Sequence, residues 1–142
     1  MADTVLIDTW GWTELGHRRA ARHDEVRHFY QSLVRQRVAI VTTDYVLDET
    51  ITLLFRREVF DEAVRFLEAI LSAAEQGRLV IERMTSERFA QAWRLRQQFQ
   101  DKPTISFTDL ASIVVMQELG IREVLTEDEH FTQVGLGFRR VP

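Results

Sequence analysis

Four carboxylates stand where chemistry is possible: Asp8, Glu49, Asp109 and Asp128. Asp8 ends the aliphatic run Val5-Leu6-Ile7 and is followed by Thr9 and then by Trp10-Gly11-Trp12. An acid at the end of a buried strand costs several kcal/mol, on the order of the penalty for an unpaired buried charge. No Lys or Arg between Thr9 and Gly16 is placed to offset it. A metal ion, or the backbone N–H groups of a following helix, would do so. The chain has no cysteine, which excludes disulfides, thiolate metal sites and cysteine nucleophiles. Several carboxylates without a thiolate favour a hard, oxygen-seeking cation, Mg²⁺ or Mn²⁺ rather than zinc. One or two such ions could activate water and stabilise charge on a phosphodiester under attack.

The elements that must position these acids follow from hydrophobic periodicity. Thr4 to Asp8 reads as a short buried strand bounded by Gly11, and Asp24 to Gln36 as an amphipathic helix. The β-branched run Val38 to Thr43 is a second strand. Asp44 starts a helix that carries Glu49 and ends at Arg56-Arg57, and another helix runs from Asp61 to about Gln76, stopped by Gly77. Leu79 to Met84 is a third strand, and Thr85 or Ser86 caps a helix through Phe89, Trp93, Leu95 and Phe99. After the break at Pro103, Thr108 to Leu119 is a strongly apolar helix that opens with Asp109 and closes on Gly120. Glu123 to Thr126 is a fourth strand, and Phe138 to Val141 a candidate fifth.

Strands alternating with helices imply a central parallel sheet of four or five strands covered on both faces, a three-layer α/β/α domain. Such sheets bind ligands beyond the carboxyl ends of their strands. That edge would receive Asp8, Asp128 and the start of the Asp109 helix, with Glu49 reaching it if its helix leans across. Each acid also has an ordinary role open to it. Asp109 suits a helix N-terminus, Asp128 could cap the turn before Phe131, and Glu49 could be a solvated neighbour of Asp48.

The 142 residues fit one domain without repeat or linker, expected to span 1–142. Hydrophobic residues make up 45% and charged residues 28%, which argues against disorder. No run of about 18 apolar residues and no basic-then-apolar leader is present, so a cytoplasmic protein without a membrane span is expected. The net charge of −4 has the wrong sign for a basic nucleic-acid-binding surface. Divalent ions on the four acids would leave the rest formally neutral.

The ordered pieces V-L-I-D-T, T-T-D-Y-V-L-D-E-T-I-T-L-L, S-F-T-D-L-A-S-I-V-V-M and L-T-E-D-E-H-F resemble the PIN-domain ribonucleases, particularly the small VapC-like toxins of toxin–antitoxin pairs. The resemblance covers nearly the whole chain. It implies a PIN-type fold and an Mg²⁺- or Mn²⁺-dependent endoribonuclease with Asp8, Glu49 and Asp109 as core acidic ligands and Asp128 as the fourth. It favours Glu49 over Asp48, and Asp128 over Glu127 and Glu129. Thr9, Ser106 and Thr126 look like the hydroxyl residues that order the acids or a bound water. The resemblance further implies an RNA substrate, an antitoxin protein as partner and a homodimer.

Trp10-Gly11-Trp12 departs from the small or aliphatic residues usual after the first Asp-Thr of the family. The rings would be core plugs, a stacking surface for an RNA base or a protein contact. His17, His23, His28 and His130 have no metal-ligand spacing and read as surface or packing residues, with His130 a minor candidate for substrate contact. Arg18, Arg19, Arg22, Arg56 and Arg57 could meet phosphates or simply line solvated helix faces. An RNA-processing nuclease that is not a toxin is an alternative, as is a degenerate PIN domain that only binds protein, although all four acid positions are filled. A haloacid-dehalogenase-type phosphatase would need a second Asp where Trp10 stands.

Overall fold

The computed structural model describes residues 3–142. In chain order the elements are β1 (Thr4–Ile7), α1 (Thr9–Gly16), α2 (His23–Arg35), β2 (Ala39–Thr43), α3 (Asp44–Arg57), α4 (Phe60–Glu75), β3 (Val80–Glu82), α5 (Ser86–Gln98), α6 (Phe107–Leu119), β4 (Glu123–Leu125), α7 (His130–Gln133) and β5 (Arg139–Val141). The strands form one parallel sheet in the order β3-β2-β1-β4-β5. Register pairs Val5 with Ile40, Leu6 with Val124 and Leu125 with Val141. The first three strands step outward on one side of β1, and the chain then crosses back to lay β4 on the other. That reversal makes the β1–β4 crevice the switch point of the sheet.

Alternation along β1 divides the interior in two. Val5 and Ile7 pack with Trp12 of α1, Val26 and Leu33 of α2, Leu54 of α3 and Leu67 and Ile70 of α4. Leu6 points the other way, into a cluster with Ala92 of α5, Leu110, Ile113 and Met116 of α6 and Phe131 of α7. The three-layer α/β/α architecture is therefore present, with five strands.

Local chemistry sets the element ends. The Thr43, Thr85 and Ser106 hydroxyls accept the N–H groups of Val46, Arg88 and Asp109, capping α3, α5 and α6. Gly120 ends α6 in the left-handed region at φ 71°. Two helices, α1 and α7, escape the hydrophobic periodicity because each is short. Gly11 does not bound β1 but lies inside α1, where a Cβ would stand 2.9 Å from both Ile7 Cγ2 and Leu125 Cγ. It is there for close approach of the helix to the sheet. The third strand is shorter than Leu79 to Met84 at both ends, and at its C-terminal end the Asp44 carboxylate takes the Met84 N–H at 3.1 Å in place of a ladder partner. Among the described residues no helix is long and apolar enough to cross a membrane.

Candidate active site

β1 delivers Asp8 to the crevice, where it precedes the first turn of α1 and is only 4% exposed. Its Oδ2 accepts a hydrogen bond from Thr126 Oγ1 at 2.8 Å, across the β1–β4 boundary. Its Oδ1 is buried with no hydrogen-bond partner. Burial pushes the carboxyl up to about 6, and the charges of Asp128 and Glu49 add to the push, against the hydrogen bonds from Thr126 and the Thr9 backbone. α1 also places Thr9, whose hydroxyl donates to Glu49 Oε1 of α3 at 2.8 Å. α3 therefore does lean over the edge, and the sequence gap between Thr9 and Glu49 is closed by a single hydrogen bond.

Asp109 sits in the first turn of α6, its backbone N–H held at 3.0 Å by the capping Ser106 hydroxyl. Its side chain is buried, and burial first, then the Asp8 charge and a hydrogen bond with Asp128, push its carboxyl up to about 9. Asp128 moves the other way. Partial burial pushes it up, but the hydrogen bond from Asp109 and the contacts with His130 outweigh this and hold it below the usual carboxylate range. The two carboxyls are pushed in opposite directions and titrate as a pair.

The segment after β4 is folded around these groups. Thr126 Oγ1 donates to Asp8 while accepting the Asp128 N–H at 3.1 Å. Asp128 Oδ1 accepts the His130 N–H at 2.9 Å, so Asp128 also caps the turn into α7. His130 Nδ1 lies 2.9 Å from the same oxygen but off the line of a hydrogen bond, leaving that nitrogen unpartnered. Its Nε2 pairs with Thr104 Oγ1 at 3.0 Å. Among the described residues, one ligand atom each from Asp109, Asp128 and His130 falls within 4.8 Å of the others.

The structure gathers Asp8, Glu49, Asp109 and Asp128 together with Thr9, Ser106 and Thr126 at one edge. His130, expected at most to touch substrate, stands among the acids. The signal for it was its place two residues after Asp128, which a search for ordinary metal-ligand spacing passes over. Arg56 and Arg57 are not brought in; they stand about two helical turns beyond Glu49 on α3. Arg18 and Arg19 are exposed in the α1–α2 connection. Of the two tryptophans, Trp12 is a core plug, 2% exposed, its indole N–H donating to Thr42 Oγ1 at 3.0 Å. Trp10 is half-buried at the rim.

The converging set of Asp109, Asp128 and His130 could hold a divalent cation, and the buried Oδ1 of Asp8, outside that set, has no hydrogen-bond partner. Comparison with known proteins agrees with the geometry. The PIN domain family profile matches residues 5–136. No curated protein sequence matches the chain. Among solved structures, Mycobacterium tuberculosis VapC20, described as a sarcin–ricin loop cleaving toxin, superposes with a TM-score of 0.79 at 30% identity, over 92% of this chain and 95% of that one. A sheet whose switch point carries four acids, matched along almost its whole length by one family, leaves a single assignment: the chain belongs to the PIN-domain family and is VapC-like within it.

Proposed function

We propose that this protein is a metal-dependent endoribonuclease of the toxin kind, and that Asp8, Glu49, Asp109 and Asp128 hold one or two Mg²⁺ or Mn²⁺ ions. The observation that carries the reading is the buried, mutually repelling pair Asp8 and Asp109 at the sheet's switch point, with Asp8 Oδ1 left unpartnered. Without a cation such an arrangement is only a cost to the fold. Similarity to VapC20 supports RNA as the substrate class.

The chain's own residues have separable tasks. Thr126 fixes one oxygen of Asp8 and so aims the other into the crevice. Thr9 does the same for Glu49, and Ser106 sets the first turn of α6 from which Asp109 projects. Asp109 must give up its proton for the cluster to act as a full set of ligands. A divalent ion in this setting would polarise a phosphate oxygen and lower the pKa of a bound water toward neutrality. No protein nucleophile is required.

The same reading includes an antitoxin and a second copy of the chain as partners, acting in the cytoplasm. Exposed apolar surface supports protein partners: Ile51, Phe55, Val59 and Phe60 at the α3–α4 corner, and Phe89 and Trp93 on α5.

The test is cleavage of an end-labelled sarcin–ricin loop RNA, and of an unrelated stem-loop, in Mg²⁺ or Mn²⁺ and in chelator. Wild type should cut only with metal. Asp8→Asn, Glu49→Gln and Asp109→Asn should each slow cleavage on the order of 10²–10³-fold, the equivalent of the several kcal/mol a metal supplies. Cutting at wild-type rate by all three variants would remove the acids from the mechanism.

A further inference from the structure

Trp10 and Arg22 form a contact that the four acids and their hydroxyls do not account for. The Arg22 guanidinium lies over the Trp10 ring, 5.2 Å from its centroid. Its Nε and Nη2 donate to the two oxygens of Glu25, each at 2.7 Å, a bidentate pair between the residue before α2 and its first turn. Its Nη1 donates to Glu127 Oε2 at 3.1 Å, reaching 105 positions along the chain. Glu127 lies between Thr126, which holds Asp8, and Asp128. Its backbone carbonyl is held separately by Arg140 Nη1 at 2.8 Å. The peptide that carries the fourth acid lies outside the sheet ladder, so such side-chain contacts must set its position.

We propose that Arg22, seated on Trp10, is a positioning residue: by holding Glu127 it fixes the loop that carries Asp128 and so sets the affinity of the acidic site for its divalent cation. The inference rests on the metal-dependent reading above. A lone surface ion pair would carry little weight, but a bidentate fork joined to a second carboxylate and stacked on a ring is a network with defined geometry. Arg22 also neutralises Glu127, which otherwise adds a free negative charge beside an acid cluster that already repels itself. With three of its nitrogens engaged by Glu25 and Glu127 and its plane on Trp10, this guanidinium is committed within the protein. The same seat covers one face of Trp10.

The sign of one measurement separates positioning from charge. Removing a nearby cation should, by Coulomb's law alone, tighten binding of Mn²⁺; removing a clamp should weaken it. Calorimetric titration of the full chain with Mn²⁺ should show Arg22→Ala weakening affinity on the order of 10-fold, the usual scale for residues that orient metal ligands. Glu127→Ala should weaken it similarly. The double variant should be no worse than either single one, because both break one link. Arg22→Lys should fall short of rescue because it lacks the fork, and Trp10→Phe should stay near wild type where Trp10→Ala does not. RNA cleavage at saturating metal should keep its KM.

Unchanged or tighter Mn²⁺ binding by Arg22→Ala overturns the proposal, as does full additivity in the double variant. A raised KM with unaltered Mn²⁺ affinity also overturns it, and makes Arg22 an RNA contact instead. Thermal melts in chelator accompany each variant; if Arg22→Ala does not fold, Arg22→Lys decides, since it keeps the charge and loses the fork: weakened Mn²⁺ binding supports positioning, and unchanged binding overturns it. Wild type that binds no Mn²⁺ through Asp109 removes the metal reading and this inference together. Normal wild-type binding with indifferent Arg22 variants removes this inference alone.

Discussion

Asp8 and Asp109 keep their protons to about pH 6 and about pH 9, far above the 3.8 of an ordinary aspartate, chiefly because both are buried. A group whose pKa is raised on folding favours the folded state while it is protonated. Its contribution is therefore complete below about pH 4 and is lost as pH rises through the folded value. Asp128, held low, contributes in the opposite sense, and its share disappears only in acid below that window. The metal-free protein should accordingly melt at a lower temperature at about pH 8.5 than at about pH 5. Asp109→Asn should flatten most of that slope and raise the melting temperature at the alkaline end. Thermal melts in chelator across this range check both; a melting temperature that climbs toward pH 8.5 would mean the two carboxyls are not crowded as described. The price of an assembled cluster is carried by the apo state.

At the scale of elements, α1 does the most with the fewest residues. Within the span Asp8 to Trp12 its start places a buried carboxylate, a hydroxyl, a ring under Arg22, a glycine against the sheet and a core plug. Gly11→Ala would bring a methyl within 2.9 Å of Ile7 and Leu125, an overpacking cost of about 1–3 kcal/mol, offset by the roughly 1 kcal/mol that alanine gains over glycine in a helix. A net loss on the order of 1 kcal/mol should show as a fall of a few degrees in melting temperature, with no new transition. A stabilised Gly11→Ala protein would mean that α1 can withdraw from the sheet. This element was also the least legible in the sequence. Eight residues with a glycine at the third position give neither a long apolar stripe nor a clear stop, so Gly11 reads as a boundary. The longer helices α3, α4 and α6 repeat their apolar spacing over several turns, and they are recognisable to within a residue or so at their starts. Of the site, Asp8 and Asp109 were legible because one follows a buried strand and the other opens a helix, whereas Glu49, well inside α3, and Asp128, in the loop after β4, were picked out through the family resemblance. His130 and the Arg22–Glu127 link were not, since both depend on how the segment after β4 folds back, and no local pattern encodes that.

On the scale of the whole molecule, β1 is the member common to everything. It lies between β2 and β4, its alternate side chains feed both interiors, and its last residue precedes Asp8. Leu6→Ala should therefore cost about 2–5 kcal/mol, the usual range for emptying a buried leucine site. Because the same strand serves both cores, melts followed by tryptophan fluorescence and by far-ultraviolet circular dichroism should move down together. Two separated transitions would show that the layers fold independently. The pairing of β1 with β4 has a consequence for how the protein is made. Asp8 is synthesised well before its hydroxyl partner Thr126 and the acids Asp109 and Asp128. A chain cut short before α6 carries Asp8 and Glu49 without the later acids, and one cut before β4 still lacks Thr126 and Asp128. For an enzyme proposed to attack RNA, interrupted translation then yields a harmless fragment, and the hazard begins only when the strand that closes the crevice has been laid down.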